Sequence, residues 1–415
     1  MKKLSVSIAL LLLYPFVFAQ PISEKIKGVG LQLQAIEQQR MSVLAQLEQL
    51  KLQKIQQQLQ DIGLPASMPK DELVNHEAMT LAYAPEYKQA RWVAHIILPD
   101  VMQGTVFRTN DFRVDPKVKS GTAEERDFFI KTLKADSSFA YDAFGYDRGH
   151  LAPSADFRWS KTALSESYLY SNISPQLAEF NRGGWGDLED AIRGYVYSHP
   201  TSELYVVTGP ILKPGLPVIE RSIHKIPIPE QFFKIVIDPQ RQKGIAFLMP
   251  NAAINSPLKT YATSIDKIEA LTGFNFFNKL PAAEQERMES MTDATEWLPA
   301  ASAADVEPLN QESMERNHFN TTVAKQWMGQ NAEIYVCGTV VGARLSRAGN
   351  VLINLDKQFP NQVFTVFVKK EHIINFNYNL TEVLRNKVIC VKGKVINQGG
   401  TPTLYLQNQN DLQIQ

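Results

Sequence analysis

The stretch Tyr146–Phe157 reads YDRGHLAPSADF and places an acid, an arginine, a glycine and a histidine in a row. A histidine can act as a general base near neutral pH. In an extended segment Arg148 lies on the same side as His150, two residues later, and Gly149 lets the backbone approach a ligand closely. The pattern indicates a catalytic base beside a phosphate-binding cation. An ordinary polar surface turn is the alternative.

A second polar pattern follows in YLYSNISPQLAEFNRGGWGDLEDAIRGY, residues 168–195. Its β-branched and aromatic start predicts a strand that ends at Asn172. Ser174 and Pro175 then predict a helix, with serine as the N-cap and proline at the first helical position.

Within this segment Asn181, Trp185 and Glu189 recur every four residues. On a helix this spacing places an amide, an indole and a carboxylate along one stripe. Amide and carboxylate oxygens are hard donors that suit magnesium. The alternative is a structural helix in which Trp185 lies in the core and the polar residues are caps.

Together these residues resemble the DNA/RNA non-specific endonucleases with a ββα-metal active site. The resemblance rests on the DRGH tetrapeptide and on a series that follows it in the same order: Asn172, Pro175, Gln176, Asn181, Trp185, Leu188 and Glu189. RWVAHIIL, RTNDFRVDP, YVVTGPIL and AFLMPN extend it over roughly residues 75–288. The implied fold class is α+β, a ββα-metal nuclease domain with mixed or antiparallel sheets.

The resemblance implies that His150 is the general base that deprotonates the attacking water. Arg148 and Arg108 would neutralise charge on the phosphate, although Arg113 is a rival for the position of Arg108. Asn172 would help to order the site.

For the metal, the resemblance implies Asn181 as the direct protein ligand of one Mg²⁺, for which Mn²⁺ can substitute. Glu189 would hold metal-bound water. Asp147, Gln176 and Arg182 are the candidates for substrate contacts, although Asp147 fixing only the turn is an alternative. Hydrolysis that reads only the sugar-phosphate backbone would act on DNA and RNA alike.

The chain begins MKKLSVSIALLLLYPFVFAQ, which predicts a secretory signal peptide at residues 1–19 and an exported protein, periplasmic or secreted. An uncleaved membrane anchor is the alternative, but the apolar run is short for a bilayer span. We expect no stable membrane insertion after cleavage.

Lysine plus arginine and aspartate plus glutamate each total 43. Removing Lys2 and Lys3 leaves 41 against 43, a balance that argues against a protein that merely coats nucleic acid.

Residues 22–63 predict a helix with apolar residues at steps of three and four: Val29, Leu33, Ile36, Val43, Leu47 and Leu50. This pattern favours a coiled coil, and with it a homo-oligomer. A solitary amphipathic helix packed on its own domain is the alternative.

Residues 75–290 form the predicted nuclease domain, and residues 291–330 lack periodicity and are interpreted as a linker. Five strand candidates in residues 331–415, with one helix candidate at Leu380–Arg385, predict a small OB-like β-barrel. Whether this barrel binds nucleic acid is left open.

Export permits a disulfide between Cys337 and Cys390, in the predicted first and fourth strands, and two free buried thiols are the alternative.

These features predict an exported, Mg²⁺-dependent endonuclease that hydrolyses DNA and RNA. The competing hypothesis is a catalytically silent envelope protein that binds nucleic acid and uses the nuclease fold as a scaffold. The presence of both His150 and Asn181 favours the enzyme.

Overall fold

The computed structural model describes residues 22–104, 106, 108–298, 302–346, 348–359, 361–398 and 401–415. The predicted signal peptide lies outside these residues. No helix within them is long and apolar enough to span a bilayer. The chain divides after Lys51 into two compact units, residues 1–51 and 52–415.

The structure has seven α-helices and nineteen strands in the described ranges. The helices are α1 Ile22–Ile62, α2 Lys161–Glu166, α3 Trp185–Ser198, α4 Ile265–Thr272, α5 Ala282–Glu289, α6 Thr321–Ala324 and α7 Leu380–Val383. The strands are β1 Glu72–Asn75, β2 Met79–Ala84, β3 Gln89–Ile97, β4 Phe129–Leu133, β5 Phe139–Ala143, β6 Asp147–His150, β7 Ile173–Gln176, β8 Leu204–Pro210, β9 Gln231–Asp238, β10 Lys243–Pro250, β11 Ala262–Thr263, β12 His318–Asn320, β13 Ile334–Leu345, β14 Val351–Leu355, β15 Phe364–Val368, β16 Val388–Gly393, β17 Val395–Gln398, β18 Thr401–Tyr405 and β19 Leu412–Ile414.

The first unit is a single helical segment, residues 22–51 of α1, with its apolar stripe in solvent. Val29, Leu33 and Ile36 are all more than 60% exposed. The helix predicted for residues 22–63 is present, but the coiled coil is not confirmed. The last turns of α1 belong to the second unit, where Ile55 and Leu59 are fully buried.

A seven-stranded antiparallel sheet in the order β1-β2-β3-β8-β9-β10-β11 forms the centre of the second unit. The inner strands β2, β3, β8, β9 and β10 are largely buried on both faces, and alternate residues of each strand point to opposite sides. In β8, for example, Leu204 and Val206 join the core under α3, whereas Tyr205 and Val207 join the core under α4 and the end of α1. The α+β class with antiparallel sheets is confirmed.

Two local predictions are wrong. The strand predicted to end at Asn172 is instead a 3₁₀ turn, Tyr170–Asn172, and β7 begins only at Ile173. Ser174 and Pro175 do not start a helix but lie within β7, which pairs with β6. The Ser174 hydroxyl is buried and donates to Oε1 of Gln89 at 2.5 Å, so it does not cap a helix. A tertiary contact thus overrides the local capping preference.

The last part of the chain forms an eight-stranded sheet in the order β17-β18-β15-β14-β13-β16-β19, with β12 paired to β13. Its hydrogen bonds form no closed barrel in the described residues, so the OB-like barrel is not confirmed. A disulfide joins Cys337 of β13 to Cys390 of β16, which face each other in the register of these two strands.

The segment interpreted as a linker, residues 291–330, is packed in several places. Trp297 is buried in the nuclease core and stacks on Tyr195 with ring centroids 4.5 Å apart. Further on, β12 and α6 pack on the C-terminal sheet, and Phe319 contacts Trp327. Isolated aromatic residues give no periodicity in sequence, yet they bury large surfaces.

Candidate active site

The DRGH residues are the whole of β6, a short strand paired antiparallel with β7. A π-helical turn, Phe180–Gly184, follows and leads into α3. β6, β7, the π-helical turn and α3 therefore carry most of the predicted site residues, while Arg108 lies in a loop and Asn172 in a 3₁₀ turn. Gly149 is required here because a Cβ atom would lie 2.2 Å from the Gln176 side chain. The predicted substrate residue Gln176 is consequently buried under β6 and does not line the cavity.

Asn172 fixes the chain immediately after His150. Its side chain is fully buried. Its Oδ1 accepts from the Ala152 backbone N–H at 2.9 Å, and its Nδ2 donates to the carbonyls of Ala152 at 2.9 Å and Ser167 at 2.8 Å. All three of these hydrogen bonds go to the backbone, and Asn172 does not line the cavity. Its contacts order the chain around His150.

His150 lies on the cavity wall with only 7% of its surface exposed. The ring packs against Phe112 and edge-on against Tyr168, with centroids 5.4 and 5.1 Å away. Its buried Nε2 has no hydrogen-bond partner among the described residues. Burial, together with the charges of Arg108 and Arg148, lowers the pKa of His150 well below its usual value. The imidazole is therefore neutral at neutral pH and can accept a proton.

Two cations flank this base. The Arg148 guanidinium lies 3.8 Å from the Phe112 ring centroid, and Nη2 donates to Oδ1 of Asn110 at 3.1 Å. Arg108 is exposed and also lines the cavity. The rival candidate Arg113 does not line it, because its guanidinium bonds to Asp111 and Ser165. The structure therefore places Arg108 beside His150.

Asp147 ties the strand to the π-helical turn. Its carboxylate accepts from Nε and Nη2 of Arg182 at 2.7 and 2.6 Å. It also accepts from Nδ2 of Asn181 at 2.9 Å. Since a carboxylate only accepts, the atom of Asn181 that faces it is nitrogen. This orientation directs the amide oxygen of Asn181 away from Asp147.

Glu189 projects from α3 into the same cavity. Burial raises the pKa of Glu189 to about 7, although Lys234 and Arg193 oppose the shift. Trp185, between Asn181 and Glu189 in the sequence, is fully buried against Phe180 and does not line the cavity. Of the three residues in the four-residue series, Asn181 and Glu189 line the cavity and Trp185 does not. Trp185 lies in the hydrophobic core, as the alternative of a structural helix predicts.

The cavity has a volume of about 690 Å³ and is rich in positive charge. Five arginines line it: Arg108, Arg148, Arg158, Arg182 and Arg193. Sequence reasoning missed two of them. Arg193 follows Glu189 by four residues, so the spacing of Asn181, Trp185 and Glu189 could have identified it. Arg158 had no such signal, because it reaches the cavity only through the turn after the DRGH strand.

Arg193 also supports the helix. It donates to Asp156 at 2.7 Å and to Asp190 at 2.6 Å. On its other side, Asp156 contacts Nε2 of the fully buried His95 at 2.9 Å. This chain of contacts links α3 to the central sheet, so the position of Glu189 is set by the core.

The donors in the cavity fit a hard divalent cation. The amide oxygen of Asn181 and the carboxylate of Glu189 are oxygen donors, and such cations are commonly held by few protein ligands with water or phosphate oxygens completing the shell. No histidine or cysteine cluster of the kind that holds zinc lines this cavity in the described residues.

Comparisons with known proteins show which family the sequence matches. The family model described as DNA/RNA non-specific endonuclease matches residues 56–283, more than half of the chain. Mitochondrial endonuclease G of Homo sapiens is 30% identical over 233 residues, which cover 53% of this chain and 73% of that protein. A nuclease of Nostoc sp. is 30% identical over 237 residues, 54% of this chain and 80% of that protein. The mitochondrial nuclease of Saccharomyces cerevisiae is 28% identical over 250 residues, 54% and 71% respectively.

Proposed function

Because the chain belongs to the DNA/RNA non-specific endonuclease family, we propose that it is an exported, Mg²⁺-dependent enzyme that hydrolyses DNA and RNA at the cavity around His150. That the chain is a nuclease follows from the family itself and from its relatives. The same family is metal-dependent. The enzyme takes precedence over the catalytically silent envelope protein, because binding alone gives no role to His150 and Asn181, which line this cavity together.

The observation that carries the mechanism is the buried imidazole of His150, whose Nε2 has no hydrogen-bond partner among the described residues, in a cavity that Arg108 and Arg148 also line. A ring nitrogen of His150 accepts the proton of the attacking water. Arg148 and Arg108 bind the phosphate and stabilise the negative charge that grows on it during attack. Burial keeps His150 uncharged beside these cations, so base and cations coexist at neutral pH.

Asn181 would hold the metal directly, and Glu189 would hold metal-bound water. Asp147 fixes the amide of Asn181 through Nδ2, which orients the metal-binding oxygen. A bound Mg²⁺ supplies positive charge to the phosphate and to the leaving oxygen. Arg182 holds Asp147 in place and is a positioning residue in this proposal.

The substrate classes follow from the chemistry of the lining. Cations and metal ligands recognise the repeated sugar-phosphate backbone, which carries no sequence information. Export rests on the sequence of residues 1–19, and Mn²⁺ is expected to replace Mg²⁺ because both accept oxygen ligands.

The proposed assembly is a homo-oligomer through residues 22–51. The apolar stripe of this helix is exposed, and burying it against a second copy removes it from water. We further propose that the C-terminal sheet is OB-like. Following the sheet from β13 through β14, β15 and β18 leads to β17. In the sequence β17 follows β16 after the single residue Lys394, and β16 is the other neighbour of β13 in the sheet.

Incubating supercoiled plasmid and a structured RNA with the purified protein tests this function. Both polymers should be cut with Mg²⁺, cutting should stop with a chelator, and Mn²⁺ should restore it. Asn181→Ala should require more Mg²⁺ and reach a lower maximal rate. Cutting that persists in chelator, or an unchanged Mg²⁺ titration of the variant, would contradict the metal assignment.

A further inference from the structure

A second cavity, of about 190 Å³, adjoins the active site. It lies between α3 and the C-terminal sheet. Ala155, Arg158 and Arg193 line both cavities. A polymer bound at His150 can therefore continue past Arg158 into the second cavity.

The C-terminal sheet is held against the nuclease region by specific contacts. Lys325, which is 9% exposed, forms an ion pair with Asp187 of α3. Nη1 of Arg182 donates to the Gln326 carbonyl at 3.3 Å. Phe359 packs edge-on against Tyr197 of α3, with centroids 4.6 Å apart. As a result, four residues from beyond the nuclease region also line the active-site cavity: Met328, Gly329, Ile396 and Asn397.

Two cations of the second cavity have no carboxylate partner. Arg193 is paired with Asp156 and Asp190, so its charge is compensated. Nε of Arg158 donates to the carbonyl of Val106 at 3.3 Å. No carboxylate of the described residues lies within ion-pair distance of Arg158 or of Arg344. One of these cations comes from the nuclease region and the other from the C-terminal sheet.

The face of the C-terminal sheet that lines this cavity carries aromatic rings and hydroxyl groups. Phe367 and Thr365 alternate on β15, so both point to the same face. Phe367 contacts Tyr405 with centroids 5.2 Å apart, and the Arg344 guanidinium lies 6.0 Å from the Phe359 ring centroid. Aromatic rings interleaved with cations are what single-stranded nucleic acid requires, because bases stack on the rings and phosphates meet the cations.

We propose that the second cavity binds a nucleotide adjacent to the cleaved position in a single-stranded substrate, with Arg158 and Arg344 on its phosphate and Phe367 and Phe359 against its base. A base that packs on these rings has left its own stack, so single strands are the preferred substrate class. The proposal rests on the proposed nuclease function, and it gives the C-terminal sheet a role in substrate selection.

Binding of single strands in chelator tests the proposal without hydrolysis. The probes are fluorescein-labelled oligothymidylates of about 4 to 16 nucleotides, the range that single OB-folds cover, and a duplex of the longest length. Full-length wild type is compared with Arg344→Gln and Phe367→Leu, which keeps an apolar side chain but removes the stacking ring. Arg316→Gln, an exposed arginine of the C-terminal part outside both cavities, is the matched control.

The wild type should bind the long single strand more tightly than the duplex. Phe367→Leu should bind single strands about 5- to 150-fold more weakly, the cost of one stacked base. Arg344→Gln should reduce the slope of log affinity against log salt by about 0.7, the value for one phosphate on a single strand. Arg316→Gln should match the wild type.

Wild-type affinity and salt slope in both variants would overturn the proposal and make the cavity a packing interface only. A wild type that prefers the duplex would overturn it as well. These outcomes differ from failure of the proposed function. A protein that binds single strands through Arg344 but cuts nothing with Mg²⁺ would refute the nuclease mechanism and leave this site standing.

Discussion

Replacing Asn172 with alanine should destabilise the protein more than any other single change at the site. The substitution removes three hydrogen bonds of 2.8 to 2.9 Å and leaves buried backbone groups of Ala152 and Ser167 without those partners. Each such group costs about 1–3 kcal/mol. Because the bonds share one side chain, we expect a total loss of about 3–5 kcal/mol in the free energy of unfolding.

That loss corresponds to a fall in melting temperature of roughly 4–7 °C, at about 1.3 °C per kcal/mol for a unit that spans residues 52–415. Urea unfolding followed by circular dichroism measures the free energy, and single-turnover cleavage well below the melting point measures the chemistry. Asn181→Ala is the matched control, since the same truncation removes one hydrogen bond at a half-buried position. The control should lose less than about 1.5 kcal/mol.

The comparison separates positioning from direct catalysis. If Asn172 acts through the backbone after His150, stability and activity fall together. If Asn172→Ala unfolds at the wild-type urea concentration but has lost cleavage, then Asn172 takes part in the chemistry and the assignment above is refuted.

Three further predictions concern the site and the C-terminal sheet. Asp147→Ala should raise the Mg²⁺ concentration for half-maximal cleavage about 10- to 100-fold, because the amide of Asn181 loses the acceptor that orients it; an unchanged titration would show that Asp147 only fixes the turn. The acidic limb of kcat/KM should lie below pH 6.5, since the active form of His150 is neutral and its pKa is lowered. Activity is thus kept as the pH falls to the lowered pKa of His150 and is lost below it. An acidic limb of kcat/KM above pH 6.5 would contradict the downward shift of this pKa. Replacing Cys337 and Cys390 by serine should destabilise the C-terminal sheet by about 2–4 kcal/mol, and two free thiols in the unreduced wild type would refute the disulfide.

Local patterns indicate part of the nuclease sheet. RWVAHIIL, YVVTGPIL and AFLMPN, which extend the resemblance, lie largely in β3, β8 and β10, and their β-branched and aromatic residues favour strands. The helix start predicted at Ser174–Pro175 is wrong because the Ser174 hydroxyl bonds to Gln89 instead of capping a helix. Gln89 is 85 residues away along the chain, so the local pattern does not indicate this contact.

Some features of the candidate site can likewise be predicted from the sequence, and others cannot. His150, Asn181 and Glu189 were identified by motif and lie in one cavity. The supporting role of Asn172 and the burial of Gln176 depend on strand pairing, which spacing alone does not give. The wall formed by the C-terminal part is the least predictable feature, because an ion pair such as that of Lys325 with Asp187 joins residues 138 positions apart.

The central claim is that His150 is the base of this nuclease. It is tested most directly by single-turnover cleavage of plasmid by His150→Ala and by the wild type at saturating Mg²⁺, with binding of the same DNA measured in chelator. We expect cleavage to fall about 100- to 10,000-fold and binding to stay at the wild-type level. A folded variant that cuts plasmid at the wild-type rate would contradict the claim.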